Sequence, residues 1–352
     1  MKKIKIILML LLLTALPTFT YCSQNPKVDN PDSAVVFMYH HFGDSRYPST
    51  SIKLEQFENH LNYLQKNDYK IWPLSKIVTY LLESKQFPSK IVALTIDDAY
   101  ISVFTEAYPR LKKLKWPFTV FVNSHPVDSK FRNFMSWEQM REMQDNGAEF
   151  ANHSLTHGVM LQKKEESELV WKNRIIKEIQ EAQKRLQEEL GSKTNEYPKL
   201  FSYPFGEYDI QTAALVNKLG YIGVTQTSGP IGMQSDLQAL PRFAMSETFA
   251  NLNGFTLKLN TKPLLITSVS PQDPVINKEN PPVLKIKLKK HLNNLGCFLS
   301  NGEPISLEWL SQTEVKIQAK EPLTPPRDRY TCTAKIDAKE YYWYSHLWII
   351  NK

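Results

Sequence analysis

The sequence predicts an α/β protein, a barrel of parallel β/α units followed by a small all-β sandwich. Three observations carry this expectation. Short apolar runs alternate with longer amphipathic ones from residue 34 to about 255, the rhythm of a largely parallel sheet. About seven such units follow one another, enough for a closed or nearly closed barrel. Beyond residue 261 the period changes to two, broken by Pro, Asn and Gly and with no helical stretch, which is the pattern of an antiparallel sandwich.

Each element has its own signal. At the start, Lys2, Lys3 and Lys5 precede an apolar stretch from Ile6 to Leu16, the layout of a secretory signal peptide over residues 1–22 and too short for a membrane span. Tyr21 stands where a lipidated Cys22 would need a small residue, so cleavage without lipidation is expected, then a linker over 23–33. In the first domain, 34–258, "AVVFMYHH" reads as a strand and "KLEQFENHLNYLQKND" as an amphipathic helix with Phe57, Leu61 and Leu64 on one face. "KIVALTIDD" is a strand, "SVFTEAYPRLKKL" a helix and "WPFTVFVNS" a strand. The helix "SWEQMREMQDN", stopped by Gly147, leads to the strand "AEFANHS" and a long charged helix from about Glu165 to Leu190. "KLFSYPFG" and "YIGVTQT" are strands flanking the helix "DIQTAALVNKLG". In the second domain, 262–352, "VLKIKL", "TEVKIQA", "RYTCTAKI" and "HLWII" alternate as half-buried strands and "SNGEP" reads as a hairpin turn. A Tyr two residues before Cys332 and Trp309 between the cysteines suggest an immunoglobulin-like sandwich, although only 35 residues separate Cys297 from Cys332.

The 352 residues, 42% hydrophobic and 22% charged, describe a globular chain of two domains with no internal repeat. Three of its seven net positive charges belong to the signal lysines, so no nucleic-acid partner is implied. An oxidising exported compartment would let Cys297 and Cys332 pair.

In parallel α/β folds the site forms at the C-terminal ends of strands, where His40 and His41, Asp97 and Asp98, and "FSYPFGEYD" are expected to meet on one rim. In "NHSLTH", His153 and His157 are four apart, a spacing that on a helical turn puts both imidazoles on one side. Asp98 would complete a His, His, Asp set for a divalent ion, and Asp97 would stay free to take a proton from the attacking water. Solvated histidines and a helix-capping Asp are the plainer alternative for each motif taken alone.

"TIDDAY", "HSLTH" and "SYPFG", in that order, resemble the NodB-type polysaccharide deacetylases, carbohydrate esterase family 4. "FMYHHFGD" and "SWEQMREMQDNGAEFANHSLTH" are most similar to the exported branch that deacetylates poly-N-acetylglucosamine. The resemblance spans residues 34–245. It implies a distorted (β/α) barrel, Asp97 as general base, and Asp98, His153 and His157 as ligands of a divalent metal, Zn²⁺ first and Co²⁺ or Ni²⁺ as alternatives. It also implies that a backbone N–H of the turn Tyr203, Pro204, Phe205, Gly206 holds the oxyanion. Tyr203, Trp137 and Tyr100 are candidate sugar-facing rings, with plain core packing as the alternative for each.

Two positions depart from that pattern. Ser202 stands where an Arg usually steadies the base, and Arg242 of "LPRF" is the candidate substitute, with a surface salt bridge as the alternative. The usual late histidine that protonates the departing amine is absent, since no His lies between His157 and His291. His40 or His41 could supply it, His41 being preferred. The expectation is an exported, periplasmic or extracellular, metal-dependent hydrolase that removes N-acetyl groups from a glycan containing N-acetylglucosamine. A non-catalytic glycan-binding protein, or an esterase or amidase of the same fold, are the rivals.

Overall fold

The computed structural model describes residues 33–196, 198–276 and 279–350. The expected signal peptide and nearly all of the linker lie outside the described residues. Residues 31–352 belong to one compact unit.

A curled parallel sheet organises the first two thirds. Its strands are β1 (Ala34–Tyr39), β2 (Lys70–Ile71), β3 (Ile91–Asp97), β4 (Phe118–Val122), β5 (Ala148–Asn152), β6 (Lys199–Ser202), β7 (Tyr221–Val224) and β8 (Phe243–Ala244). They lie in the order β8-β1-β3-β4-β5-β6-β7, with β2 also on β3. Every residue of β1, β3 and β4 is buried, as befits strands covered on both faces, which need near-continuous apolar runs. The expected closure is corrected to a half-barrel. Its edge strands β7 and β8 do not pair with each other; β7 and the following Thr225 bond instead to the segment before β8, Gly223 to Leu237 and Leu240 and Thr225 to Leu240, and past Pro241 the Arg242 N–H donates to the Thr227 carbonyl.

Helices cover the sheet: α1 (Leu54–Lys66), α2 (Leu74–Leu82), α3 (Tyr108–Leu114), α4 (Ser124–Asp128), α5 (Trp137–Asp145), α6 (Glu168–Leu190), α7 (Ile210–Lys218) and α8 (Leu252–Leu259). The segment expected as one helix over 102–114 is a π-helical turn, Val103–Ala107, running into α3. Helix α6 starts three residues later than its charge pattern suggests, because the Ser167 side chain accepts from the Val170 N–H and caps it. It buries Trp171, Ile175, Ile179, Leu186 and Leu190 at helical spacing, each of the order of 1.5–3 kcal/mol. Side chains of β1 and β3 alternate between two apolar clusters. Val35, Phe37, Leu94 and Ile96 pack outward, while Ala34, Val36 and Ala93 face the interior, which α2 plugs. The interior face of β3 therefore continues from Ala93 through Thr95 to Asp97.

The last third is all β, as expected. One sheet orders β9 (Thr261–Pro263), β17 (Tyr341–Ile349), β16 (Arg327–Lys335), β12 (Gly296–Phe298) and β13 (Pro304–Ile305). The other orders β10 (Ile266–Ser270), β11 (Val283–Leu288), β15 (Glu314–Gln318) and β14 (Leu307–Trp309). Leu284, Ile286 and Leu288 alternate with exposed lysines and share a core with Val315, Ile317, Tyr330 and Trp348. Cys297 and Cys332 form a disulfide, but they are opposite neighbours on β12 and β16. An immunoglobulin domain would tie sheet to sheet. The Tyr330 hydroxyl does reach back, donating to the Pro282 carbonyl at 2.9 Å. Among the described residues no helix is long and apolar enough to cross a membrane.

Candidate active site

Strand β3 delivers Asp97 into the interior, where it is fully buried. The chain then turns sharply: Asp98 has φ +74° and Ala99 φ +51°. The turn is fixed by hydrogen bonds from the Asp98 N–H to the Phe121 carbonyl (3.1 Å) and from the Met135 N–H to the Ala99 carbonyl (3.0 Å). The two acids thus leave the strand in different directions.

His153 follows β5 and His157 lies four residues on, but they share no helical turn. This expectation is corrected: residues 153–158 form a loop in which Ser154 and His157 take φ of +67° and +60°. Short polar side chains hold the backbone instead. Asn152 Oδ1 accepts from the Ser154 N–H at 2.9 Å, and Ser154 Oγ from the His157 N–H at 3.0 Å.

The loop brings both imidazoles to Asp98. His153 Nε2 and His157 Nε2 each lie 3.3 Å from Asp98 Oδ1, and the three ligand atoms sit within 4.8 Å of one another. The His153 Nδ1–H donates to the Ser202 carbonyl at 2.7 Å, so in the neutral ring Nε2 carries the lone pair. Yet His153 Nε2 and Asp98 Oδ1 are buried with no well-formed hydrogen bond. Buried acceptors crowded together without donors fit a divalent cation between them. Burial opposes the charge on Asp98, but the histidines outweigh it and hold its carboxyl well below the usual range.

Asp97 lies beside this triad, its Oδ2 4.0 Å from His153 Nε2. Arg242, itself fully buried, grips both its oxygens, at 2.7 and 2.8 Å. The same guanidinium donates to Thr95 Oγ1, Ser202 Oγ and the Thr225 carbonyl. This is a buried bidentate pair with every arm satisfied, not a surface salt bridge. Burial pushes the Asp97 carboxyl up, and the charge of Arg242 followed by that of His153 brings it net below its ordinary value. Ser202, small enough to admit the guanidinium, also donates to Asp97 at 3.3 Å. No periodicity in the sequence pairs residues 145 positions apart, and only the missing Arg before Tyr203 hinted at the exchange.

The turn Pro204–Gly206 borders the triad through Phe205, whose ring meets His157 edge-on at 4.5 Å. Phe205 has φ +60° and Gly206 φ +70°. A Cβ on Gly206 would lie 2.8 Å from the Gln226 nitrogen, so only glycine fits. The Gly206 N–H donates to the Tyr203 carbonyl at 2.8 Å, leaving the Phe205 N–H as the candidate oxyanion donor.

Three further expectations are corrected. The Tyr203 ring is buried in the core with its hydroxyl on the Gln238 carbonyl, and the nearly buried Trp137 donates to Asp128; neither ring offers a face to a ligand. His41 sits between Tyr100 and Tyr47, at ring distances of 3.7 and 4.8 Å. Burial lowers its pKa to about 4, so it carries no proton to give near neutrality. His40, like His153, lies close enough to Asp97, Asp98 and His157 to act on all three. Exposed rings at this end include Tyr47, Phe131 and Phe205; Tyr47 stacks on His41 and His41 on Tyr100, and the chain of ring contacts continues tilted to Phe134 and edge-on to Phe131.

Residues 84–224 match the polysaccharide deacetylase family. A poly-β-1,6-N-acetyl-D-glucosamine N-deacetylase of Staphylococcus aureus is 27% identical over 219 residues, 60% of this chain and 73% of that protein. Among solved structures, Streptococcus pyogenes deacetylase PplD in complex with acetate superposes with a TM-score of 0.55 at 22% identity, covering 62% of this chain and 95% of that one. A de-N-acetylase from Aggregatibacter actinomycetemcomitans gives 0.56 at 19% identity, covering 64% and 100%.

Proposed function

From its membership of the polysaccharide deacetylases, hydrolases of N-acetyl amide bonds, we propose that this protein removes N-acetyl groups from a polymer containing N-acetylglucosamine. The carrying observation is the pairing of unlike acids: Asp98 faces two imidazoles with its Oδ1 unmet, while Asp97 beside it is held as a carboxylate by Arg242.

In this reading Asp98, His153 and His157 hold a divalent ion, Zn²⁺ by the nitrogen-rich donor set, with Co²⁺ or Ni²⁺ able to substitute. When bound, such an ion polarises the acetyl carbonyl and lowers the pKa of water. Asp97 takes the proton of the attacking water, and Arg242 keeps it from being protonated beforehand. The Phe205 N–H faces the developing oxyanion. His40 gives a proton to the departing amine, in place of the late histidine the chain lacks. The rim rings Tyr47 and Phe131 offer apolar faces to flanking sugars.

Export through residues 1–22 is consistent with the Cys297–Cys332 disulfide, and a domain boundary is placed between residues 258 and 262. Acetate release from N-acetylglucosamine oligomers, before and after chelation and with Zn²⁺ or Co²⁺ restored, tests the reading. Chelation is expected to abolish release and metal to restore it. Release from acetyl esters alone would favour the esterase rival, and no release under any metal would overturn the proposal.

A further inference from the structure

The C-terminal sheets touch the catalytic turn at several points. Arg327 of β16 pairs with Glu207 at 2.7 Å, and the Glu207 side chain is only 12% exposed. Three residues on, the Ile210 N–H at the start of α7 lies close enough to the Asp273 carboxylate, in the loop after β10, to act on it electrostatically. Nearby, Ser345 and Trp343 of β17 both bond Ser228, at 2.9 and 3.1 Å, and the Trp343 ring meets Phe243 of β8 at 5.3 Å. These last contacts dock the sheet on the half-barrel. The first two fall on the segment 204–210.

That segment needs holding. Phe205 occupies a left-handed conformation that non-glycine residues rarely adopt, and such strain persists only where the surroundings fix it. From the barrel side Tyr203 and Tyr208 stack at 5.2 Å, and Asp209 caps α7 through the Thr212 N–H. On the outer side the fixed points are Arg327 and Asp273.

We propose that the C-terminal all-β region is a working part of the active site, in which Arg327 and Asp273 act as positioning residues that hold the 204–210 segment and so aim the Phe205 N–H across the Asp98–His153–His157 cluster. The inference rests on the reading of that N–H as the oxyanion donor. A donor aimed at charge that develops only in the transition state governs turnover more than substrate binding. Loosening it therefore lowers kcat and leaves KM and metal affinity in place.

The test uses the full mature chain as Arg327→Glu, Asp273→Ala and the reversed pair Arg327→Glu with Glu207→Arg. Arg327→Glu is expected to lower kcat for acetate release about 10-fold, a typical share of what one oxyanion donor provides, with KM, metal stoichiometry and thermal midpoint unchanged. The reversed pair regains most of the loss. Asp273→Ala behaves like Arg327→Glu. Independently of catalysis, amide hydrogen exchange at Phe205 and Gly206 quickens in the single variants and slows again in the reversed pair. An unchanged kcat and unchanged exchange in Arg327→Glu would overturn the proposal, as would a loss that tracks the thermal midpoint. If the wild-type chain releases no acetate but exchange responds as stated, the holding role stands and the deacetylase reading falls.

Discussion

Two acids at opposite ends of the same sheet, one fully buried and one half-buried, behave in opposite ways. Asp97 ends β3 at the C-terminal rim, and Glu149 lies near the start of β5. Burial penalises the charge of each. Asp97 meets a guanidinium and an imidazole, and its carboxyl is drawn below the ordinary range. Glu149 meets only the hydroxyls of Ser75 and Thr119, and burial leaves its carboxyl raised. Hydroxyl donors satisfy lone pairs without cancelling charge. Depth in the protein therefore does not set an acid's charge; the sign of what faces it does.

Removing the difference should have the largest effect. Arg242→Ala leaves Asp97 buried without a counter-charge and should cost about 3–5 kcal/mol in urea unfolding. In any fraction that folds, Asp97 comes to resemble Glu149: its pKa rises, and the acid limb of the rate profile moves toward neutral pH. Arg242→Lys, a point charge without the two-pronged geometry, should fall between. An unshifted acid limb in Arg242→Ala would separate the guanidinium from the ionisation of Asp97.

His60 extends the comparison to a base. Its ring is fully buried, accepting from Tyr39 and donating to the Ala250 carbonyl at 2.8 Å. No acid faces it, and burial lowers its pKa to about 4. With the folded value below the unfolded one, the stability it lends is complete above pH 6.5 and is lost as pH falls from there to 4. The loss should approach about 3 kcal/mol, read as a drop in thermal midpoint, and His60→Gln should flatten that slope.

The smallest expected effect is at Glu149. A raised folded pKa contributes stability below the unfolded value, and that contribution disappears as pH rises through the folded one. At pH 7 Glu149→Gln, which mimics the neutral form, should raise the thermal midpoint slightly and leave acetate release unchanged. A destabilised variant at pH 7 would show that the two hydroxyls suffice for the ionised acid.

The sheet was legible because buried parallel strands need long apolar runs and α6 shows its period over six turns. The Asp98–His153–His157 cluster was legible because its residue types fall in two short motifs. Its geometry was not: Ser154 and His157 adopt left-handed backbone that residue types do not announce, so a loop was mistaken for a helical turn. The support of Asp97 depends on contacts far apart in the chain, and the choice between His40 and His41 on which ring the tyrosines enclose. The half-barrel opening depends on the irregular segment between β7 and β8, which bonds to β7 in place of β8 and which the strand rhythm does not register.

The division of labour between adjacent acids is tested most directly by measuring metal content and acetate release for Asp97→Asn and Asp98→Asn side by side. Asp97→Asn should retain one equivalent of metal and lose 10²–10⁴-fold in rate, while Asp98→Asn should lose the metal and the activity together. Loss of metal in both variants, or an active Asp97→Asn, would contradict the account.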